Sequence, residues 1–445
     1  MLDARPVRGF FRSLRTRVDA VLIAILFVVP WLELGGEPLL RLDVPQRRFH
    51  VLGLVIFPGE LVFLWLIVMG LALALFFFTA LAGRLWCGWA CPQTIFSDLF
   101  AGVARRIHGW RGTRSPASAS RARAVATHFA WAAISLVIGF HLVSYFCSPR
   151  ELAGELLHAE VSATRLGFLT AASALAYLDF GLVRQTFCKY LCPYARFQGV
   201  LFDAETLVVA YDAARGEPRG KRGKAAGDCV DCGLCVAVCP TGIDIRGGLQ
   251  LECIACTQCI DACDGVMEKL GRAPKLIGYR SQIELASRRK ARLLRPRVAV
   301  YGALLLVVVG VFSAAVAARV PFEVFVAHNA ASLYATLADG RPGNAYTLRV
   351  ENRDRVAHRF ELSLDAPDGF SLLAGVNPIG LDPVSSRELR VFVAGPRAFG
   401  EARSQPISFS LADLDRPSLR LRRDATFLFA AHADGDPRER EQHGG

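Results

Sequence analysis

The chain has 445 residues, 53% of them hydrophobic, and a mean hydropathy of +0.33, which is too apolar for an ordinary soluble protein. Lysine and arginine outnumber aspartate and glutamate by 52 to 40, a net charge of +12. No nucleic-acid motif accompanies that excess, and most of it flanks apolar segments, so it reads as charge set against a membrane and no nucleic-acid partner is expected.

Five apolar segments, near 18–34, 61–83, 124–146, 166–183 and 298–318, explain the hydropathy. A helix needs about 20 residues to cross the hydrocarbon core, and the second, third and fifth meet that. The first is short and contains Pro30; with no small-residue cleavage site after it, it reads as a retained anchor. The fourth contains Asp179, a costly charge in lipid, for which Arg184 offers a partner; a proton or metal relay is the alternative. About five spans are therefore expected. Basic residues are dense at the N-terminus (Arg5 to Arg17), after the second segment (Arg84 to Arg123) and between the fourth and fifth (Lys221 to Arg297). The alternate loops are poorer, which puts the N-terminus and the cysteine-rich region in the cytoplasm, and an odd number of spans puts the C-terminal part outside.

The second segment delivers Cys87-Gly-Trp-Ala-Cys91-Pro92, followed by apolar Ile95, Phe96, Leu99, Phe100 and Val103 at the spacing of one helix face. Pro92 suits a first helical turn. The fourth segment ends likewise, in Cys188-Lys-Tyr-Leu-Cys192-Pro193 with an apolar stretch at 194–202, so the two hairpins form an internal repeat. Cysteines four apart share a helix face, with β-carbons about 5–6 Å apart. Such a pair can hold a soft metal ion, Cu(I) best of all, or cycle as a dithiol after local unwinding, and two pairs can meet as a four-thiolate site. The bland alternative is cysteine as a small hydrophobe.

After a Gly/Arg/Lys-rich lead at 211–224 come two runs of C-x2-C-x2-C-x3-C: Cys229, Cys232, Cys235, Cys239 with Pro240, and Cys253, Cys256, Cys259, Cys263 with Asp264 in the proline's place. This spacing matches two-cluster bacterial ferredoxins, in which the last cysteine of each run serves the other cluster. The expected sets are Cys229, Cys232, Cys235, Cys263 and Cys253, Cys256, Cys259, Cys239. Zinc prefers two separated pairs, and a reducing compartment disfavours disulfides.

From residue 320 the pattern alternates with period two, and strands are expected at 345–350, 359–364, 387–393, 407–410 and 425–429, giving a β-sandwich of about 100 residues. This part has neither cysteine nor methionine and only scattered histidines such as His328 and His358, so it reads as a docking or stabilising module and not a copper carrier. The polar stretch 432–445 reads as a disordered tail. His128 and His141 are about 20 Å apart along one helix and cannot ligate one haem iron. Cys147 receives no role.

The expected organisation is a multi-domain membrane protein: a four-span helical domain at 1–210, a ferredoxin-type domain at 211–296, a fifth transmembrane helix at 297–319, an immunoglobulin-like sandwich at 320–431 and the tail.

The stretches Cys87-Gly-Trp-Ala-Cys91-Pro92-Gln93-Thr94, Cys192-Pro193-Tyr194-Ala195-Arg196-Phe197-Gln198 and Cys239-Pro240-Thr241-Gly242-Ile243-Asp244-Ile245-Arg246 resemble the FixG/CcoG family, over nearly the whole chain. The resemblance implies a bacterial inner-membrane protein with two [4Fe-4S] clusters on the eight cysteines. It also implies a Cu(II)-reducing oxidoreductase role that supplies Cu(I) for cbb3-type cytochrome c oxidase assembly. The functional cysteines carry over onto Cys87, Cys91, Cys188 and Cys192, with copper as substrate or transient ligand. The implied partners are the oxidase or its copper-delivery factors, the lipid bilayer, and a cytoplasmic donor or quinol. Two other readings stay open, a quinol dehydrogenase-type electron-transfer subunit and a non-enzymatic scaffold or copper chaperone. No glycine fingerprint for a bound nicotinamide nucleotide is present.

Overall fold

The computed structural model describes residues 4–109, 120–220, 227–328, 335–337, 339–397 and 404–429. The arginines of 110–119, the basic run 221–226 and the tail expected at 432–445 lie outside them. The chain divides into two units, Met1–Ala314 and Ala315–Gly445.

In the first unit, α1 (Phe10–Val28) is followed by small antiparallel strands at Leu40–Asp43, Arg48–Val51 and Leu54–Ile56. Then come α2 (Leu61–Ala82), α3 (Leu85–Trp89), α4 (Pro92–His108), α5 (Arg121–Val143), α6 (Pro149–His158) and α7 (Ala163–Ala176). α7 runs on as a π-helical stretch, Tyr177–Val183, and a second π-helical turn, Phe187–Leu191, leads to α8 (Pro193–Phe197).

Four helices among the described residues are long and apolar enough to cross a membrane: Pro58–Ala82, Arg121–Val143, Ala163–Val183 and Pro296–Ala317. The expected fifth span, at 18–34, is not one of them. α1 starts eight residues earlier than the apolar segment and carries Arg12, Arg15, Arg17 and Asp19 in its first half. Arg15 is 1% exposed and, with Arg12, pairs with Asp98 of α4. A buried guanidinium of this kind is held by carboxylates, not by lipid. Segment 1–210 thus holds three candidate spans, and the argument from an odd number of crossings falls with the fifth.

α5 and α7 pack closely because both are small at the contact. A β-carbon on Gly139 would stand 2.2 Å from Ser173 Oγ and 3.0 Å from its backbone nitrogen. Below that contact Trp131 stacks on Phe100, centroids 6.0 Å apart, and its indole nitrogen donates to the Phe100 carbonyl at 3.0 Å. This aromatic layer, with Phe96 and Phe180, fixes α4 against α5 and the π-helical stretch.

In the small sheet at 40–56, His50 is buried, its Nδ1 3.1 Å from Glu37 Oε2. Burial, with Arg41 beside it, pushes the imidazole down from 6.5 to about 4 in spite of Asp43. A folded-state pKa below the unfolded one favours the folded form fully above pH 6.5, and that contribution is lost as pH falls from 6.5 towards 4. His50→Gln is expected to flatten the fall of the thermal midpoint across that interval, measured on the detergent-solubilised protein.

The cysteine-rich segment is built on two antiparallel strands, Val208–Tyr211 and Ile277–Arg280, and the helix Gln258–Lys269. Val209, Ile245, Ile260, Met267 and Ile277 form its core. The start of α1 is seated on that helix. Asp261 accepts hydrogen bonds from the backbone amides of Phe11 (3.1 Å) and Arg12 (2.6 Å), so a distant carboxylate meets the positive end of α1. Gly9 lies so close that a β-carbon there would be 2.3 Å from Asp261 Cγ.

The second unit is an immunoglobulin-like pair of sheets. One has the order Ser371–Ala374, Ser385–Ala394, Pro342–Asn352, Phe322–His328; the other Ile379–Leu381, His358–Asp365, Ser404–Asp413, Arg420–Leu428. Phe322, Tyr346, Leu348, Phe360, Phe409 and Phe427 fill the space between them. All five strands expected from the alternation are present, most of them longer; those at 322–328, 371–374 and 379–381 were not foreseen.

Candidate metal centres

Two cavities lie in the cysteine-rich segment. The first is lined by Cys229, Cys232, Cys235 and Cys263, with Gly233 and Arg246 beside them. The second is lined by Cys239, Cys253, Cys256 and Cys259; Cys235 reaches it as well. The two runs share a backbone conformation. Two and four residues after the leading cysteine the chain turns left-handed, at Asp231 (φ 52°) and Gly233 (φ 67°) in the first run and at Ala255 (φ 52°) and Thr257 (φ 63°) in the second. Such positions cost of order 1 kcal/mol or more each for residues other than glycine, and their repetition marks loops wrapped around something.

Electrostatics says what that is. Burial pushes the Cys235 thiol up to about 11 and those of Cys256 and Cys263 to about 12; it raises Cys259 well above the ordinary value, and neighbouring thiols push further in the same direction. Thiolates gathered this densely need positive charge among them. Two sets of four sulfur donors, each drawn from both cysteine runs, suit iron–sulfur clusters in the pattern of two-cluster ferredoxins.

A third cysteine group sits against the second cavity. Cys87 and Cys188 are both buried and pack with Ile254 and Cys256, Tyr194 lying alongside. Cys188 is within electrostatic reach of Cys87, Cys91 and Cys192, so the two C-x3-C-P motifs converge. Burial lifts Cys87 to about 11 and Cys188 to about 12. Gln198 donates from Nε2 to the Cys87 sulfur at 3.6 Å.

The spacing suggested one helix face for each pair, and the local structure differs. α3 ends at Trp89, and Cys91 is extended (φ −71°, ψ 124°), as is Cys192 (φ −69°, ψ 113°). The proline that follows disfavours helical geometry at the residue before it. Each second cysteine is therefore the N-cap of the next helix, α4 or α8. At α4 the Cys91 sulfur accepts from the amides of Gln93 and Thr94, which favours the thiolate while burial opposes it and prevails.

α3 lies directly on the cluster loop. A β-carbon on Gly88 would be 2.5 Å from the Ala255 carbonyl oxygen and 2.7 Å from that of Ile254. Gln93 holds the other side, donating from Nε2 to Asp179 Oδ1 (3.0 Å) and to the Arg184 carbonyl (2.9 Å). Gln93 is thus the partner the structure gives Asp179, while the Arg184 guanidinium lies over Trp131, 5.2 Å from the ring centroid. Sequence reasoning missed Gly88, Gln93, Tyr194 and Gln198. The signal was available for the two glutamines, which stand one and five residues after the two motif prolines.

The remaining candidates stay apart. His128 bonds Tyr177 (2.8 Å) and His141 bonds the Val137 carbonyl (2.9 Å). Cys147 packs among Phe140, Val143 and Leu152 as a small hydrophobe. In the second unit His358, Asp413 and Asp415 lie within 4.8 Å of one another, but His358 is already held by Asp354 and Asp413 and Asp415 by Arg359.

Comparison with known proteins bears on the same segments. Residues 183–282 match the model of a 4Fe-4S dicluster domain, residues 61–111 that of a 4Fe-4S binding domain, and residues 312–430 that of the Ig-like fold at the C-terminus of FixG. The chain is 36% identical to protein RdxA of Cereibacter sphaeroides, over 92% of this chain and 91% of the relative. It is 34% identical to the nitrogen fixation protein FixG of Rhizobium meliloti, over 89% and 87%. The chain belongs to the FixG family. Protein RdxB of Cereibacter sphaeroides is similar too, at 34% over 86% of each. This FixG-family chain is accordingly an iron–sulfur electron-transfer protein with membrane-spanning helices and two clusters.

Proposed function

We propose that this FixG-family protein reduces Cu(II) to Cu(I) at the thiols of Cys87, Cys91, Cys188 and Cys192, as a cupric reductase serving assembly of a cbb3-type cytochrome c oxidase. The observation that carries the reading is the packing of Cys87 and Cys188 against Ile254 and Cys256, which leaves no intervening layer between the soft-metal thiols and the second cysteine cavity. We assign Cys229, Cys232, Cys235 and Cys263 as ligands of one [4Fe-4S] cluster and Cys253, Cys256, Cys259 and Cys239 as ligands of the other. Bound there, each cluster supplies reversible one-electron chemistry. The four thiols bind copper and favour its Cu(I) state, because thiolate is a soft ligand. Gln198 and the α4 amides position Cys87 and Cys91, and Gln93 fixes the turn between Asp179 and Arg184.

We place the protein in the bacterial inner membrane with the cysteine-rich segment cytoplasmic, on the density of basic residues around it. The helix Pro296–Ala317 follows that segment in the chain, so one crossing carries the immunoglobulin-like module to the periplasm. Its partners there are the oxidase or its copper-delivery factors, and the electrons come from a cytoplasmic donor or a quinol. The nitrogen fixation named for the Rhizobium relative fits a respiratory role of this kind.

The test is anaerobic mixing. Protein reduced by two electrons is combined with Cu(II) in the presence of a Cu(I) chelator, and each Cu(II) takes one electron. Formation of two Cu(I) per chain with recovery of the oxidised visible spectrum is expected. Reoxidation by a quinone but not by Cu(II) overturns the copper reading in favour of a quinol dehydrogenase subunit; reoxidation by neither leaves a scaffold.

The crossed ligand assignment has its own test. Cys263→Ser is expected to abolish the cluster of the 229–235 run and spare the other, and Cys239→Ser the reverse. Electron paramagnetic resonance of the reduced variants checks it, and loss of the cluster belonging to the mutated run contradicts the crossing.

A further inference from the structure

Arg84 stands two residues beyond the end of the first candidate span, where an arginine ordinarily meets water or lipid headgroups. Here it is 4% exposed. Of the other arginines among the described residues only Arg15 is buried, and Arg15 has Asp19 and Asp98 beside it. Arg84 has no carboxylate partner among the described residues. Its Nη2 donates to the carbonyl oxygen of Ala195, and its Nε has no hydrogen-bond partner. A guanidinium does not shed its proton in a protein, and a buried charge without an opposite one is costly. The position therefore calls for an anion that no carboxylate supplies.

What surrounds the guanidinium identifies that anion. Arg84 is the N-cap of α3, and its carbonyl accepts from the amide of Gly88 at 3.2 Å, the residue that rests on the Ile254 and Ala255 carbonyls. Ala195, which holds the other end of the side chain, follows Tyr194, and Tyr194 lies alongside Cys87, Cys188, Ile254 and Cys256. The guanidinium is thus fixed between α3 and α8, and its charge bears on Cys253 of the second cavity as well as on Cys87. Four thiolates around an iron–sulfur core leave a cluster net negative, and reduction adds one further negative charge. Net charge at the site is among the factors that set the potential of such a cluster. The first cavity differs in this respect, because its own arginine, Arg246, is already paired with Asp231 and Asp244.

We propose that Arg84 is the counter-cation of the cluster held by the 253–259 run and raises its reduction potential by favouring the reduced, more negative state. The inference rests on the ligand assignment above and not on copper. Full-length, iron-loaded protein in detergent is titrated electrochemically and followed by electron paramagnetic resonance, beside the variants Arg84→Gln, Arg84→Lys and Cys256→Ser. The signal lost in Cys256→Ser identifies the second cluster; if that variant keeps both signals, the ligand assignment fails and the inference with it. Glutamine keeps an amide donor for the Ala195 carbonyl without the charge, and lysine keeps the charge without the planar fork. At a fixed ambient potential Arg84→Gln is expected to lower the ratio of reduced to oxidised second cluster about ten-fold, a midpoint about 59 mV more negative, with the other cluster unmoved. Arg84→Lys is expected to bring the midpoint back towards the wild-type value. Loss of the second cluster in Arg84→Gln with retention in Arg84→Lys also supports the inference. An unchanged midpoint in Arg84→Gln, equal shifts in the two variants, equal shifts of both clusters, or loss of the cluster in both variants overturns it.

Discussion

Serine at both Cys87 and Cys188 is expected to leave the iron and sulfide content at the wild-type level and to lower the rate of Cu(II) reduction by at least about a hundred-fold. Both side chains are buried, and neither lines a cluster cavity, so the exchange of sulfur for oxygen removes soft donors without removing a cluster ligand. The hydroxyl is close in volume to the thiol, which keeps the packing against Ile254 and Cys256. Stopped-flow reduction of Cu(II), iron analysis and the visible spectrum decide the matter together. A variant that keeps both its clusters and its copper activity removes the thiols from the reaction. Single substitution of Cys91 or Cys192, which cap helices at the edge of the group, is expected to weaken Cu(I) retention more than it slows the first turnover.

Gly88→Ala is the second decisive change. The added methyl would stand 2.5–2.7 Å from two carbonyl oxygens of the Ile254–Ala255 loop, and backbone cannot retreat as a flexible side chain can. Overpacking of this kind costs typically 1–3 kcal/mol, or is relieved by moving α3 away from the loop. Both outcomes are measurable. Relief by displacement predicts unaltered iron content and Cu(I) binding with a Cu(II) reduction rate lowered at least ten-fold, since only the distance between thiols and loop has grown. Relief at the loop predicts loss of the cluster of the 253–259 run, seen in the reduced spectrum, with the other retained. An alanine variant unchanged in rate, iron and stability would mean that α3 does not rest on this loop.

Much of this was legible in the residues alone. The eight clustered cysteines, the duplicated C-x3-C-P motifs and the alternation after residue 320 each repeat a local pattern, and local patterns survive without knowledge of the fold. What escaped has a common physical cause. The apolar second half of α1 reads locally as a span; the buried Arg15 and its partner Asp98 are 83 residues apart, and nothing local joins them. The spacing of Cys91 and Cys192 from their partners points to one helix face, although the proline after each disfavours helix there. Gly88, Gln93 and Gln198 act through contacts with residues far along the chain, at 255, 179 and 87. The short strands at 371–374 and 379–381 are three or four residues long, below the length at which alternation can be told from chance.

The carboxylate of Asp261 has a consequence for how the molecule is made. It lies between Cys259 and Cys263, and it holds the first amides of a helix synthesised some 250 residues earlier. The N-terminal arm leaves the ribosome first but finds this anchor only when the second cysteine run has emerged and folded. An apoprotein without iron lacks that anchor, so the first turn of α1 is expected to loosen and to become open to proteases at Gly9, while Arg12 and Arg15 still hold the helix to Asp98. Pulse-chase labelling in iron-starved cells would then recover chains trimmed at the front end, even though every cluster cysteine lies more than two hundred positions downstream.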